Sequence, residues 1–330
     1  MPYPESAFPV AGDGHEWTDD PYEAPKPSRI TVAQALLHVS LLVATFVTTT
    51  LMGTLLSLDV PVPEDAGLAG FFTAVVGAVT SDGTYIGSGV VFSITLLVIL
   101  GAHEMGHYIA CRYYDIDASL PYFLPAPPPI LIGTFGAFIR IRSPFPNRKS
   151  LFDVGVAGPI AGFIFALPAS VVGLLYATPS TADASEGGIV FHDPLLFTML
   201  SRLFDLPDAI NWNPIYFAAW IGMFATGLNL IPVGQLDGGH AVAALVGRRG
   251  HRVVSLVFFG LVTTLALVSF VRFSSPVWFL YVAILALLVF RPHPSTLDDG
   301  PGVGRARWIV GAIVLVIFLL SFMPFPVTIT

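Results

Sequence analysis

The chain has 330 residues, of which 54% are hydrophobic and only 11% charged, and its mean hydropathy is +0.76. These values exclude an ordinary soluble domain and indicate an integral membrane protein. The formal net charge of −7 argues against nucleic-acid binding, and the single cysteine, Cys111, excludes an intrachain disulfide.

The first thirty residues are polar, acidic and rich in proline, which predicts a disordered cytoplasmic tail over residues 1–30. They lack the basic start and short apolar core of a signal peptide, so the first hydrophobic run is expected to remain as an anchor. Residues 31–330 are expected to form one transmembrane domain, with a core over about residues 86–240 and additional helices over 31–58 and 253–325.

Seven apolar runs predict an all-α polytopic membrane protein with about six to seven transmembrane helices. A membrane β-barrel would show only weak alternation over about ten residues. The run at Pro276–Phe290 is short for a crossing, which leaves the count open between six and seven. The predicted spans are Val32–Leu58, Ile86–Arg112, Leu151–Ala177, Pro214–Val233, Val253–Val271, Pro276–Phe290 and Trp308–Met323.

The basic residues indicate how these spans are oriented. If the N-terminus lies inside, all but Arg202 and Arg272 of the 15 Lys and Arg residues fall on the cytoplasmic side. Cytoplasmic loops of membrane proteins carry such an excess of Lys and Arg. The sequence therefore predicts a multi-pass protein of the cell membrane with a cytoplasmic N-terminus.

A metal-binding pattern lies near the end of the second span, at His103-Glu104-Met105-Gly106-His107. Histidines four residues apart lie on one helix face and can bind one metal ion, and the intervening glutamate can act as general base. Ionisable residues inside a membrane span are costly and usually functional. Chance occurrence is therefore a weak explanation of this pattern.

The stretch 119–146 is neither a span nor an ordinary loop. Its proline-rich start, residues 121–129, cannot form a regular helix. In the following segment, Gly133–Arg142, isoleucine alternates with arginine, which predicts a short membrane-associated strand or hairpin with one wet side.

A catalytic zinc site usually has three protein ligands, and the candidates for the third are Asp237 and His240. Both follow the fourth span, which runs inward and ends at the same cytoplasmic level as His107. Asp237 is the better candidate, because the glycines after it, Gly238 and Gly239, allow a close backbone approach. His240 could then hydrogen-bond to one of the metal-binding side chains, or it could be a histidine at the membrane interface. The other histidines carry no pattern and are predicted to be surface or packing residues: His15, His38, His192, His251 and His293.

Two motifs together resemble those of the site-2 proteases, the zinc-dependent intramembrane metalloproteases. They are Ala102-His-Glu-Met-Gly-His-Tyr-Ile-Ala110 and Asn229-x-x-Pro-x-x-x-Leu-Asp237-Gly-Gly. The glycine-proline stretch from Gly155 to Gly162 is similar to that family's motif in its third core helix, although many members have Asn near the end of it where this chain has Gly162. The resemblance covers about Leu97 to His240 and implies a minimal member without a PDZ domain.

The resemblance also implies roles for individual residues. His103, His107 and Asp237 would bind one zinc ion, Glu104 would be the general base, and Asn229 would help to position the substrate. The segment that holds Gly133 and Gly136 would be a β element to which an unwound substrate adds as a strand.

The function expected from this resemblance is hydrolysis of a transmembrane or membrane-tethered protein near the cytoplasmic face of the lipid bilayer, which could release a membrane-bound regulator. One alternative is a metal-ion transporter, although such proteins usually bind ions near the bilayer midplane and often contain repeats. Another is a scaffold that binds membrane proteins without cleaving them, which would typically have lost Glu104 or a ligand. The sequence leaves the substrate and the oligomeric state open.

Overall fold

The computed structural model describes residues 30–57, 67–81, 83–127, 132–180, 189–207, 209–291, 296–298 and 302–329. The predicted cytoplasmic tail lies outside these residues, apart from Ile30. Helices dominate the described residues, as in an all-α membrane protein. They are α1 (Val32–Leu56), α2 (Gly67–Ser81), α3 (Thr84–Tyr113), α4 (Arg148–Leu175), α5 (Leu195–Leu203), α6 (Pro214–Asn229), α7 (Asp237–Phe273), α8 (Val277–Val289) and α9 (Arg305–Ser321).

The strands are short and pair two at a time. β1 (Tyr122–Pro125) is antiparallel to β2 (Thr134–Phe138), and β3 (Phe145–Asn147) is parallel to β7 (Thr296–Asp298). β4 (Thr178–Pro179) is antiparallel to β6 (Ile210–Asn211), and β5 (Ile189–Phe191) is antiparallel to β8 (Val327–Ile329).

Four of the described helices, α1, α3, α4 and α7, are long and apolar enough to cross a membrane, judged by length and composition. This confirms the predicted class, an α-helical membrane protein. Three other predicted spans correspond to α6, α8 and α9, which have 16, 13 and 17 residues. A full crossing needs about 20 residues, so the count of six to seven spans stays a prediction.

The helix α7 differs from its prediction. It begins at Asp237 rather than at Val253 and is broken at Gly247, whose φ of 76° is left-handed. Glycine adopts this backbone conformation without the steric cost that a side chain would add. Gly247 can therefore form the break between the two helical segments. The first segment, residues 237–246, was missed because it is only ten residues long and precedes a run of arginines.

The predicted β element is present as the β1–β2 hairpin, while its association with the membrane stays a prediction. Its ladder covers residues 134–138 and stops before the alternation of isoleucine and arginine on which the prediction rested. Beyond the ladder, Ile141 forms a single antiparallel bridge with Ala118. The hairpin packs on α1, where the Thr48 hydroxyl donates a hydrogen bond to the carbonyl of Gly133 (2.6 Å).

Two further helices were not predicted. α2 and α5 lie between predicted spans. They have 15 and 9 residues, which is too short for a membrane span. Helices of this length depend on tertiary packing, which a search for membrane spans does not detect.

Helix α3 packs against α1, α4 and α6. Glycines allow close approach at these crossings. A Cβ atom on Gly53 of α1 would lie 2.7 Å from the Phe92 side chain, and one on Gly89 of α3 would overlap the Thr50 carbonyl and the Thr54 side chain. A side chain larger than that of glycine at Gly53 or Gly89 would therefore clash across the α1–α3 contact.

We expect Gly89→Ala to destabilise the fold by about 1–3 kcal/mol, because the new methyl group overpacks the α1–α3 contact. The matched control is Gly87→Ala on the same helix, where an added Cβ meets open space. That control should be neutral or stabilising by up to about 1 kcal/mol. Unfolding of the detergent-solubilised variants measures both effects, and equal stability of the two would contradict the packing assigned to Gly89.

Candidate metal centre

Helix α3 supplies three of the predicted site residues. His103, Glu104 and His107 are buried, with 6%, 8% and 7% of their surface exposed. The two histidines lie one helical turn apart, so their rings project from one face of α3, with centroids 4.9 Å apart.

Asp237 is brought to the same place by the turn between α6 and α7. It is the first residue of α7, where the helix dipole favours a carboxylate. The two glycines that follow it permit this turn. A Cβ on Gly238 would overlap the Leu230 carbonyl, and one on Gly239 would overlap the Gly234 carbonyl. The close backbone approach predicted from the glycine pair is confirmed.

The ligand atoms of these residues converge. His103 Nε2 lies 3.1 Å from Asp237 Oδ2, His107 Nε2 lies 3.3 Å from Asp237 Oδ1, and the two Nε2 atoms are 3.2 Å apart. Ligands that surround a zinc ion at about 2.0–2.2 Å in a tetrahedron are themselves about 3.3–3.5 Å apart. The observed separations are close to that value.

The tautomer of His107 also fits a metal ligand. Its Nδ1 lies 2.8 Å from the Val154 carbonyl oxygen, which can only accept, so Nδ1 carries the proton. Nε2 is then left with a lone pair that points toward His103 and Asp237. A ligating histidine typically donates its other ring N–H in this way. Two imidazole nitrogens and one carboxylate thus form a donor set that suits zinc.

Glycines of α4 make room for the imidazoles. A Cβ on Gly158 would overlap the His107 ring, and one on Gly162 would lie 3.2 Å from His103 Nδ1. A Cβ on Gly106 of α3 would overlap the backbone carbonyl of Ala157. The sequence contained the glycine motif, but the pairing of Gly158 with His107 needs the register of α4 on α3, which no local pattern gives.

The residues surround a cavity of about 260 Å³ that is partly open. Its apolar wall comes from Ala137, Phe138, Ile139 and Ile141 of the hairpin segment, together with Val154 and Gly155 of α4. Glu104 also lines it, close to the backbone of Ile139. The cavity is therefore lined by the Glu104 carboxylate, by the three candidate metal ligands and by the extended hairpin segment.

The remaining predicted site residues divide into two groups. Asn229 and His240 line the cavity, and Asn229 Nδ2 lies 3.4 Å from His103 Nε2. His240 is not among the converging ligand atoms, which favours Asp237 as the third ligand among the residues described. Gly133 and Gly136 lie in the hairpin but not in the cavity lining, and both have positive φ (81° and 98°).

His251 was expected to be a surface or packing residue, and it is a packing residue that also contacts the turn carrying Asp237. It is buried, and its Nε2 lies 3.1 Å from the Gly234 carbonyl oxygen and 3.1 Å from Ser255 Oγ. The Ser255 hydroxyl donates to the Pro232 carbonyl (3.2 Å). Only the spacing of His251 and Ser255 on one helix face hinted at this contact.

Comparison with known proteins places these motifs in a family context. The family model described as "Peptidase family M50" matches residues 91–271. The probable zinc metalloprotease EGY1, chloroplastic, of Arabidopsis thaliana is 32% identical over 241 residues, which are 69% of this chain and 42% of that protein. The probable zinc metalloprotease EGY2, chloroplastic, of Oryza sativa subsp. indica is 30% identical over 280 residues, 83% of this chain and 48% of that protein.

A further relative is the EGY2 protein of Arabidopsis thaliana, 30% identical over 240 residues, 71% of this chain and 41% of that protein. The chain spans less than half of the length of each of these three relatives. No solved structure matches it.

We expect Gly158→Ala to weaken metal binding by about tenfold or more, because the added methyl group displaces the His107 ring from its position beside Asp237. Metal analysis of the purified variant measures this. Gly260→Ala in α7 is the matched control, since its Cβ meets open space. Equal metal content of the two variants would contradict the packing of His107 on Gly158.

Proposed function

This chain belongs to peptidase family M50, and from that premise we propose that it is a zinc metalloprotease that cleaves transmembrane or membrane-tethered proteins. The convergence of His103, His107 and Asp237 beside Glu104, inside a bundle of apolar helices, carries the proposal. The names of the EGY relatives support zinc as the metal.

In this proposal His103, His107 and Asp237 hold one zinc ion, and an open position remains for water and substrate. A bound zinc ion supplies Lewis acidity, which polarises a carbonyl group and acidifies water. The bond of His107 Nδ1 to Val154 keeps the ring in the tautomer that such a ligand needs.

Glu104 moves the proton. Its carboxylate takes a proton from the attacking water and later gives it to the leaving amine, which is general base and then general acid catalysis. The carboxylate lines the cavity beside the candidate metal ligands His103 and His107.

Asn229 is placed to bind the reacting carbonyl. Its side-chain amide lines the cavity close to His103 and can donate a hydrogen bond to the oxygen on which negative charge develops. In this proposal one cavity thus contains a base, a donor for the oxyanion and a set of metal ligands.

The hairpin supports a substrate that binds as an extended strand. Within the described residues β2 pairs with β1 only, which leaves its other edge available. Peptides commonly add to such an edge through main-chain hydrogen bonds. A substrate helix would first have to unwind, because its carbonyls are engaged in hydrogen bonds within the helix. Gly133 and Gly136 would act by shaping this strand rather than by touching the reacting bond.

The proposed topology has six to seven spans in the cell membrane with a cytoplasmic N-terminus. The excess of Lys and Arg on one side of the predicted spans supports it, and it puts the end of α3 and the start of α7 at the cytoplasmic level. The substrate is then held by the bilayer while water reaches the site from the cytoplasm. Cleavage would release a membrane-bound regulator.

We expect Glu104→Gln to bind zinc as the wild type does but to lose cleavage of a membrane-tethered model substrate by about 100-fold or more, because the base is absent. Zinc content and cleavage are measured on the same purified sample, with a chelator-treated wild type as the inactive reference. Cleavage by the variant at the wild-type rate would remove Glu104 from the mechanism.

Asp237→Asn should lose most of the bound zinc, because a neutral amide is a weak zinc ligand compared with a carboxylate. Asp205→Asn is the matched control, since Asp205 is exposed in a loop outside the cavity. The control should keep its zinc and its activity. If Asp237→Asn retains full zinc content, Asp237 is not a ligand.

A further inference from the structure

A cluster of polar side chains joins three helices near the metal site but does not line its cavity. The guanidinium of Arg307, in the first turn of α9, binds the Asp153 carboxylate of α4 through two bonds, Nε to Oδ1 (2.8 Å) and Nη2 to Oδ2 (2.5 Å). Such two-pronged pairs fix the relative geometry of their partners as well as binding them.

Tyr114, the residue that follows the last residue of α3, completes the cluster. Its hydroxyl donates a hydrogen bond to Asp153 Oδ2 and accepts one from Arg307 Nη2 (3.2 Å). Burial and the adjacent Asp153 carboxylate raise the pKa of the Tyr114 phenol, so the hydroxyl keeps its proton for this bond. The cluster therefore links the end of α3 to the second turn of α4 and the first turn of α9.

The same two helices, α3 and α4, meet at the metal site. Asp153 is followed by Val154, whose carbonyl accepts a hydrogen bond from His107 Nδ1. Tyr114 follows His107 by seven residues, which is about two helical turns, so both project from the same face of α3. The contact of Tyr114 with Asp153 and the contact of His107 with Val154 thus depend on one register of α4 on α3.

Arg307 lies in the first turn of α9, where its charge has a local cost that the Asp153 ion pair offsets. A cation in the first turn of a helix opposes the helix dipole. The Nη1 of Arg307 donates to the Val303 carbonyl (3.2 Å), which further fixes the start of α9 on the cluster. Helix α9 lies outside the residues 91–271 that the family model matches.

We propose that Arg307 is a positioning residue of the metal site, which through Asp153 and Tyr114 fixes the register of α4 on α3 and thereby holds the His107 imidazole toward Asp237. The inference rests on the metal site proposed above. It gives α9 a role in the site although none of its side chains lines the cavity.

The test uses the full chain in detergent with Co²⁺ as the metal probe. Arg307→Met removes the charge and keeps the aliphatic stem. Its Co²⁺ affinity, measured by competition with a chelating indicator, should fall about tenfold, at the low end of the effect of residues that orient metal ligands. Its visible Co²⁺ spectrum should also change, because the position of His107 changes. Arg307→Lys restores the charge without the two parallel bonds, so it should recover only part of the affinity.

Arg305→Met is the matched control, because Arg305 is an exposed arginine in the same helical turn. It should leave both affinity and spectrum unchanged. Wild-type affinity and spectrum in Arg307→Met would overturn the proposal even if the metal-free variant unfolds at a lower temperature, since Arg307 would then stabilise the fold only. If Arg307→Met does not fold, unchanged affinity and spectrum in Arg307→Lys overturn it instead. Failure of the wild type to bind Co²⁺ would contradict the proposed metal site itself.

Discussion

The hydrogen bond from His107 Nδ1 to the Val154 carbonyl is the interaction on which the candidate site depends. It links α3 to α4, sets the tautomer of the imidazole and directs its Nε2 toward Asp237. The bond requires the helices to approach closely, and Gly158 permits this because it has no side chain beside the His107 ring. Packing between two apolar helices thus favours one tautomer of a candidate metal ligand.

This arrangement puts polar chemistry into an apolar fold at limited cost. Buried ionisable groups of the site face polar partners: His107 donates to Val154, and Asp237 faces both imidazoles. Uncompensated polar groups among apolar helices would each cost several kcal/mol. A metal ion that is bound among the imidazoles and the carboxylate would satisfy the lone pairs that converge there.

Much of this could be predicted from the sequence where the signal is local. The spacing of His103 and His107 at i and i+4 predicts that both lie on one face of a helix. The charge bias between loops predicts that Asp237 lies at the same membrane level as His107. The break of α7 at Gly247 and the short helices α2 and α5 could not be predicted, because neither hydropathy nor length distinguishes them from loops. The contacts of Gly158 and His251 depend on how distant helices pack, and sequence periodicity does not specify that register.

X-ray absorption at the zinc edge of the purified chain tests the account most directly. A site formed by His103, His107 and Asp237 predicts a shell of nitrogen and oxygen at about 2.0–2.2 Å, with the outer scattering that two imidazoles produce. Loss of part of that imidazole signal in His107→Ala would assign it to this residue. A sulfur neighbour at about 2.3 Å, a shell of oxygens without imidazole, or a purified chain that binds no zinc would contradict the account.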